Sequence, residues 1–320
     1  MTRLFYGLAV FAFVSFSMAA GAESGKKTLN VLFIGNSFTA RHHLSSVVKA
    51  MAEAGQPGLT FNPTDIIYGG RTLKDHWRLG TQNIVKQSTL TEAEAKETVA
   101  VLEKAVADDP KDKYAPSALA RHRALLPKIE ANRQRWDVVV LQSYRDDMEG
   151  DPTLYAEYAP KFAELAKAQG ARVILYETTP TTQNEKPLTS APDSAPIFAK
   201  ERAIAALAKK IDAAVAPMAL VAHRCQIQRP DLTLRFVNDA HLNQTMSYLT
   251  ACTLYAALFG QSPVGLPIDS ITDTRSFEGE RNDKTKDRDG NPITRKFSDQ
   301  DRTDLQRIAW EGWSEFQKLR

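Results

Sequence analysis

Leu29-Asn30-Val31-Leu32-Phe33-Ile34-Gly35-Asn36-Ser37-Phe38-Thr39 is an apolar, β-branched run that stops at Gly-Asn-Ser and gives way to a helical pattern. A buried strand that turns tightly into a helix opens a parallel α/β unit, because parallel strands need crossover connections. The alternation continues outward from there. Further short apolar runs at Leu59 to Tyr68, Trp136 to Gln142, Arg172 to Tyr176 and Met218 to Ala222 predict four more strands. Helical stretches are predicted at Leu44 to Ala54, Thr153 to Gln169, Ile197 to Val215, Gln244 to Phe259 and Asp299 to Leu319. In the last, Leu305, Ile308, Ala309, Trp313 and Phe316 recur at helical spacing behind Ser298 as a cap. The pattern predicts an α/β fold in three layers, an α/β/α sandwich with a central five-stranded parallel sheet.

Two segments interrupt that rhythm. Leu79 to Arg135 is too long for a simple crossover and carries helical runs at Glu92 to Ala107 and Ser117 to Arg133, so 79–135 reads as a helical insertion. Between Ser270 and Ser298 the chain is dominated by charged residues, Gly, Pro and Thr, so 270–298 reads as a solvated loop excursion from a single domain spanning 23–320. Within it, Asp287-Arg288-Asp289-Gly290-Asn291-Pro292 has the look of half a calcium loop, but Thr285 and Lys296 occupy the first and last ligand positions. An Asp-Gly turn is the expectation there.

The composition, 43% apolar and 25% charged, is that of a folded globular chain. Forty-one Lys and Arg against 38 Asp and Glu leave a net charge of +3, too even for a polyanion-binding face, so no nucleic-acid partner is expected. Residues 1–22 stand apart: Arg3 is their only charge, Leu4 to Phe16 is apolar, and Ala20-Gly21-Ala22 offers the small side chains of a signal-peptidase site. A signal peptide cleaved after Ala22 would leave a secreted or periplasmic protein with no membrane span. Cys225 and Cys252 are expected as free, buried thiols, since Cys252 sits inside an apolar helical run, and no His and Cys cluster has zinc-ligand spacing. Neither a metal nor a cofactor is called for.

In a doubly wound sheet, ligands bind beyond the carboxyl ends of the strands, and Ser37 falls there. Backbone N–H groups of the helix turn that follows are placed to stabilise an oxyanion, although a plain N-cap serine would read the same way. A nucleophilic serine needs a base. His241, in the polar loop Phe236-Val237-Asn238-Asp239-Ala240-His241-Leu242-Asn243, has acidic company to orient its ring. His42, His43, His76, His122 and His223 read as structural or surface histidines.

Taken together, these residues resemble the SGNH (GDSL-type) esterases and lipases. Gly35-Asn36-Ser37 resembles the family's first block, with Asn where Asp is commoner, and Gly69-Gly70-Arg71-Thr72 resembles the second, whose glycine N–H helps form the oxyanion hole. The helix from Tyr248 through Phe259 and the following Gly260-Gln261-Ser262-Pro263-Val264-Gly265 are similar to secreted bacterial members of unassigned activity. Two departures matter. The family's last block places Asp three residues before the histidine, where this chain has Asn238, while Asp239 lies two before it; either can face the ring. The third block usually reads Gly-x-Asn-Asp, whereas here it is Gln142-Ser143-Tyr144-Arg145, leaving Gln142 as the candidate amide donor to the oxyanion and Tyr144 as a candidate pocket residue.

The resemblance implies a flavodoxin-like sandwich and a serine esterase, with Ser37 as nucleophile and His241 as base, oriented by Asp239 or Asn238. Gly69, Gly70 and Gln142 would serve the oxyanion. The substrate class it suggests is a small acyl ester, O-acetyl on a carbohydrate first among them. The alternatives are a catalytically inactive carbohydrate-binding protein, favoured by the departures at Asn36, Asn238 and Tyr144, and a lipase or acyltransferase of the same fold. Asp146, Asp147, Glu149 and Asp151 read as a solvated acidic loop, and Arg71 and Trp77 as either substrate contacts or packing.

Overall fold

Alternation along one strand sets the layers. Strand β1 (Lys27–Gly35) turns Val31 and Phe33 into one apolar cluster and Leu32 and Ile34 into another, as successive side chains of a strand must. The computed structural model describes residues 27–144, 153–178, 182–275 and 283–320. The expected signal segment and the acidic run from Asp146 to Asp151 lie outside them. After β1 come α1 (Ser37–Ala40), α2 (Leu44–Gly55), β2 (Leu59–Ile67), α3 (Leu73–Arg78), α4 (Thr81–Val85), α5 (Glu92–Asp108), α6 (Ala115–Leu125) and β3 (Val138–Leu141). The chain continues with α7 (Leu154–Ala168), β4 (Arg172–Tyr176), α8 (Ala195–Ile211), β5 (Ala214–Ala216), α9 (Met218–Gln228), α10 (Gln244–Phe259), β6 (Ser270–Thr272), β7 (Thr294–Lys296) and α11 (Asp299–Phe316).

The five-stranded sheet is parallel throughout, in the order β2-β1-β3-β4-β5. Val31, Phe33, Val140 and Ile174 meet α2, α10 and α11 on one face; Leu32, Ile34, Leu141 and Leu175 meet α3 and α5–α8 on the other. This is the three-layer α/β/α architecture. Because β1 has β2 on one side and β3 on the other, the chain leaves it in opposite directions, and its carboxyl end is the switch point where such sheets bind ligands. Helix α10, buried from Gln244 to Leu258, has no polar face because α11 covers its outer side. Its Thr250 and Thr253 hydroxyls donate to Met246 O and Leu249 O at 2.8 and 2.7 Å, so neither is left unpaired.

The fifth strand differs from expectation. Met218 to Ala222 is not a strand but the first turn and a half of α9, and the strand is Ala214–Ala216, whose first two residues the pattern assigned to the preceding helix. Asp212, left-handed at φ 46, ends α8. Three residues then pair with Ile174, Leu175 and Tyr176 before Pro217, which has no N–H for the ladder. An apolar run alone does not separate a buried helix from a strand. Cys225 and Cys252 are free and buried, as expected.

In segment 79–135, α6 stops at Leu125, short of the predicted Arg133, ahead of Pro127. Leu90, Leu102 and Leu119 belong to the same apolar cluster as Ile34 and Leu141. Segment 270–298 is less solvated than expected: β6 and β7 form an antiparallel hairpin, Ile271 and Phe297 join the core, and Asp273 and Asp287 are buried. Asp273 is paired with Arg41 and Asp287 with Gln244. Asp287 Oδ1 accepts from the Asp289 and Asn291 N–H groups at 3.0 and 2.9 Å, which makes the expected Asp-Gly turn with Gly290 left-handed. Among the described residues no helix is long and apolar enough to cross a membrane.

Two carboxyls are buried together beyond β4. Glu177 Oε2 accepts from Ala219 N and Glu201 Oε1 from Leu220 N, both at 2.8 Å, and Lys200 Nζ stands 3.7 Å from Glu177. Burial raises both carboxyls above the ordinary range, and the charge of Glu177 drives Glu201 higher still. A group raised in this way favours folding below the ordinary carboxyl range and loses that contribution as pH climbs through its raised value. Gln at 201 keeps an acceptor for Leu220 N and cannot ionise. The melting temperature of Glu201→Gln relative to the native protein should therefore rise, by about 2 °C or more, between about pH 5 and pH 9; a flat difference would refute the assignment.

Candidate active site

The turn after β1 is fixed from several sides. Gly35 O accepts from Tyr68 N and from His76 Nε2, both at 3.0 Å, and burial pulls the His76 pKa down to about 4, so this ring is neutral. A Cβ on Gly35 would stand 2.3 Å from Thr39 Oγ1 and 2.5 Å from Gln142 Oε1, so only glycine fits. Asn36 caps α1 by accepting from Phe38 N at 3.0 Å, while its Nδ2 donates to Arg71 O at 3.2 Å. The second bond calls for an amide at this position, since an ionised carboxylate cannot donate to a carbonyl. Through it the Gly69-Gly70 turn is tied to the residue beside Ser37.

Ser37 and His241, 204 positions apart, meet at 2.8 Å between Oγ and Nε2. The other ring nitrogen, Nδ1, bonds Asp239 Oδ1, which also accepts from His241 N at 3.1 Å. The imidazole is thereby held with Nδ1 donating and Nε2 free to accept from the serine hydroxyl. Asn238 goes elsewhere: its N–H and Nδ2 face Asp289 Oδ1 at 3.1 and 3.4 Å, on the exposed side of the loop. The three-residue spacing therefore does not place Asn238 on the ring, because Asp289 turns it outward.

Behind Asp239 lies a buried network that the sequence did not disclose. Arg41, 3% exposed, donates from Nη1 to Asp239 Oδ2 at 3.0 Å and from Nε and Nη2 to the two oxygens of Asp273 at 2.9 and 3.0 Å. Burial works against the Asp239 charge, but the bonds from His241 and Arg41 outweigh it and hold this carboxyl far below the ordinary range. His42 and His43 follow with φ of 56° and 52°, left-handed values that cost on the order of 1 kcal/mol or more apiece. His42 is buried, and its Nε2 donates to Leu242 O at 2.9 Å, pinning the residue next to His241. Burial lowers its pKa to about 4, and it stays neutral. The basic triplet Arg41-His42-His43 was the only signal, and Asp273 lay in a stretch read as solvated.

Of the expected oxyanion groups, Gly70 is left-handed at φ 67, a conformation suited to glycine. Among the described residues, neither the Ser37 nor the Gly70 N–H is donated to a protein acceptor. Gln142 is corrected to a brace. Fully buried, it accepts from Asn36 N at 2.7 Å and Thr39 Oγ1 at 3.0 Å, and its amide N–H donates to Ser143 O. Its oxygen holds the turn around Ser37, and its nitrogen is taken up by the neighbouring Ser143 carbonyl. Tyr144 stands 36% exposed at the end of β3, and Gly69 O accepts from Tyr114 Oη at 2.6 Å. Trp77 packs edge-on against Phe162 and Tyr158, with centroids 5.2 and 6.3 Å away, which is core packing. Among the described residues no group of three or more His, Cys, Asp or Glu side chains could hold a metal ion.

No protein-family model matches the chain, and no curated protein matches it significantly. Among solved structures it is similar to a provisionally assigned SGNH hydrolase from Slackia heliotrinireducens, at 21% identity over 72% of this chain and 100% of that one, with a TM-score of 0.43. It is also similar to a DUF4886 family protein from Bacteroides uniformis, at 15% identity over 89% of this chain and 94% of that one, with a TM-score of 0.47.

Proposed function

We propose that the protein is a secreted serine esterase of SGNH type that hydrolyses a small acyl ester, O-acetyl on a carbohydrate. The observation that carries the reading is the run of contacts from Ser37 Oγ to His241 Nε2 at 2.8 Å and from His241 Nδ1 to Asp239, at the sheet's switch point. His241 takes the Ser37 proton as Oγ bonds to the ester carbonyl carbon, and the carbonyl electron pair moves to oxygen, held by the Ser37 and Gly70 N–H groups. Collapse breaks the ester C–O bond, and the leaving alkoxide takes the proton from His241. Water, deprotonated by the same nitrogen, then attacks the acyl-serine and releases the acid and free Ser37.

A fluorophosphonate probe should label the protein at Ser37, and labelling should track loss of turnover of 4-nitrophenyl acetate. Acetate is expected to be cleaved at least about tenfold faster than octanoate, since an acyl pocket is discriminating by about 1–3 kcal/mol per misfit. Absence of labelling with the folded protein would defeat the esterase reading and leave a binding protein in its place.

A further inference from the structure

Beside the Gly69-Gly70 turn stands a guanidinium with no counter-ion among the described residues. Arg71 Cζ lies 5.2 Å from the centroid of the Tyr114 ring, whose hydroxyl donates to Gly69 O at 2.6 Å. Arg71 O is the acceptor of the Asn36 amide, one residue from Ser37. Among the described residues no carboxylate pairs with Arg71, and its Nε is buried without a hydrogen-bond partner. Lys113 Nζ, 5.5 Å from the same ring, and Arg121, which donates to Tyr68 Oη at 2.7 Å, add positive charge. Two described acids nearby are committed elsewhere: Asp112 to Arg78 at 2.8 Å and Asp75 to the cap of α3. Desolvating an arginine without a partner is costly unless something with negative charge comes to it.

We propose that Arg71 is a specificity-determining residue that binds a carboxylate on the alcohol part of the ester, so that the substrate is an acylated acidic saccharide. The proposal rests on the esterase reading, in which the acyl group is too small to carry the charge. A planar guanidinium, placed over the Tyr114 ring, matches a carboxylate with two parallel bonds, and the Tyr114 bond to Gly69 keeps that fork next to the oxyanion turn.

The test compares kcat/KM for mono-O-acetyl glucuronate and mono-O-acetyl glucose in the native protein, Arg71→Met and Arg71→Lys. The native protein should favour the glucuronate ester at least about tenfold, Arg71→Met should bring the ratio to within about threefold of unity, and Arg71→Lys should fall between. Raising the salt concentration should shrink the native ratio. Hydrolysis of both esters at equal efficiency, or a preference that survives in Arg71→Met, overturns the inference and leaves the esterase standing. If neither ester is cleaved and no probe labels Ser37, the esterase reading falls. Calorimetric titration with free glucuronate then decides the carboxylate contact by itself: heat seen with the native protein and lost in Arg71→Met supports it, and no heat with the native protein ends it.

Discussion

Alanine at Ser37 is expected to lower hydrolysis of 4-nitrophenyl acetate by on the order of a million-fold, and His241→Ala should lose nearly as much. The two losses are not additive. In the proposed mechanism Oγ and Nε2, 2.8 Å apart, act as one device: without the imidazole the hydroxyl stays protonated, and without the hydroxyl the base has nothing to activate. What remains should come from the oxyanion N–H groups alone. Ser37 is only partly buried, and its side chain braces nothing in the turn, which Gln142, Asn36 and His76 hold. The variant should therefore melt within about 2 °C of the native protein. Turnover above about one per cent of native in a folded Ser37→Ala protein would mean the chemistry lies elsewhere.

The second large effect is expected at Asp239. Asn in its place can still meet the imidazole but favours the wrong tautomer and gives no charge to the imidazolium, so kcat should fall by about ten-thousandfold. Asn238→Ala, by contrast, should cost less than about threefold, because that side chain is engaged with Asp289. Arg41 keeps its two bonds to Asp273 when Asp239 is neutralised, so the buried guanidinium retains a counter-ion and the fold should survive. Circular dichroism separates a catalytic loss from a structural one. Comparable losses at both positions would sink the assignment of Asp239 as the group that orients His241.

Much of this was legible in residue order, for reasons that can be named. The run from Leu29 to Ile34 alternates between two apolar layers, so it reads as a buried strand, and Gly35-Asn36-Ser37 marks its end because the space there admits no side chain. The fifth strand was misplaced because Ala214–Ala216 is short and unremarkable, whereas the apolar start of α9 is buried on several sides and imitates a strand. Choosing between Asn238 and Asp239 depended on how one loop turns, which Asp289 decides from 51 and more positions away. The ion pairs of Arg41 span 198 and 232 positions, and no local pattern records such contacts. Gln142 was legible as a site residue but not as a brace, since only geometry tells which partners its amide meets.

The reach of Arg41 toward Asp273 has a consequence for biosynthesis. During synthesis Arg41 emerges well before its partners, since Asp239 and Asp273 follow it by 198 and 232 positions. The full network of Arg41 with Asp239 and Asp273 therefore cannot form until both have been made. On the proposed reading, a nascent or shortened chain that lacks the hairpin should be hydrolytically silent, and activity should appear only once Asp273 and its hairpin have been made.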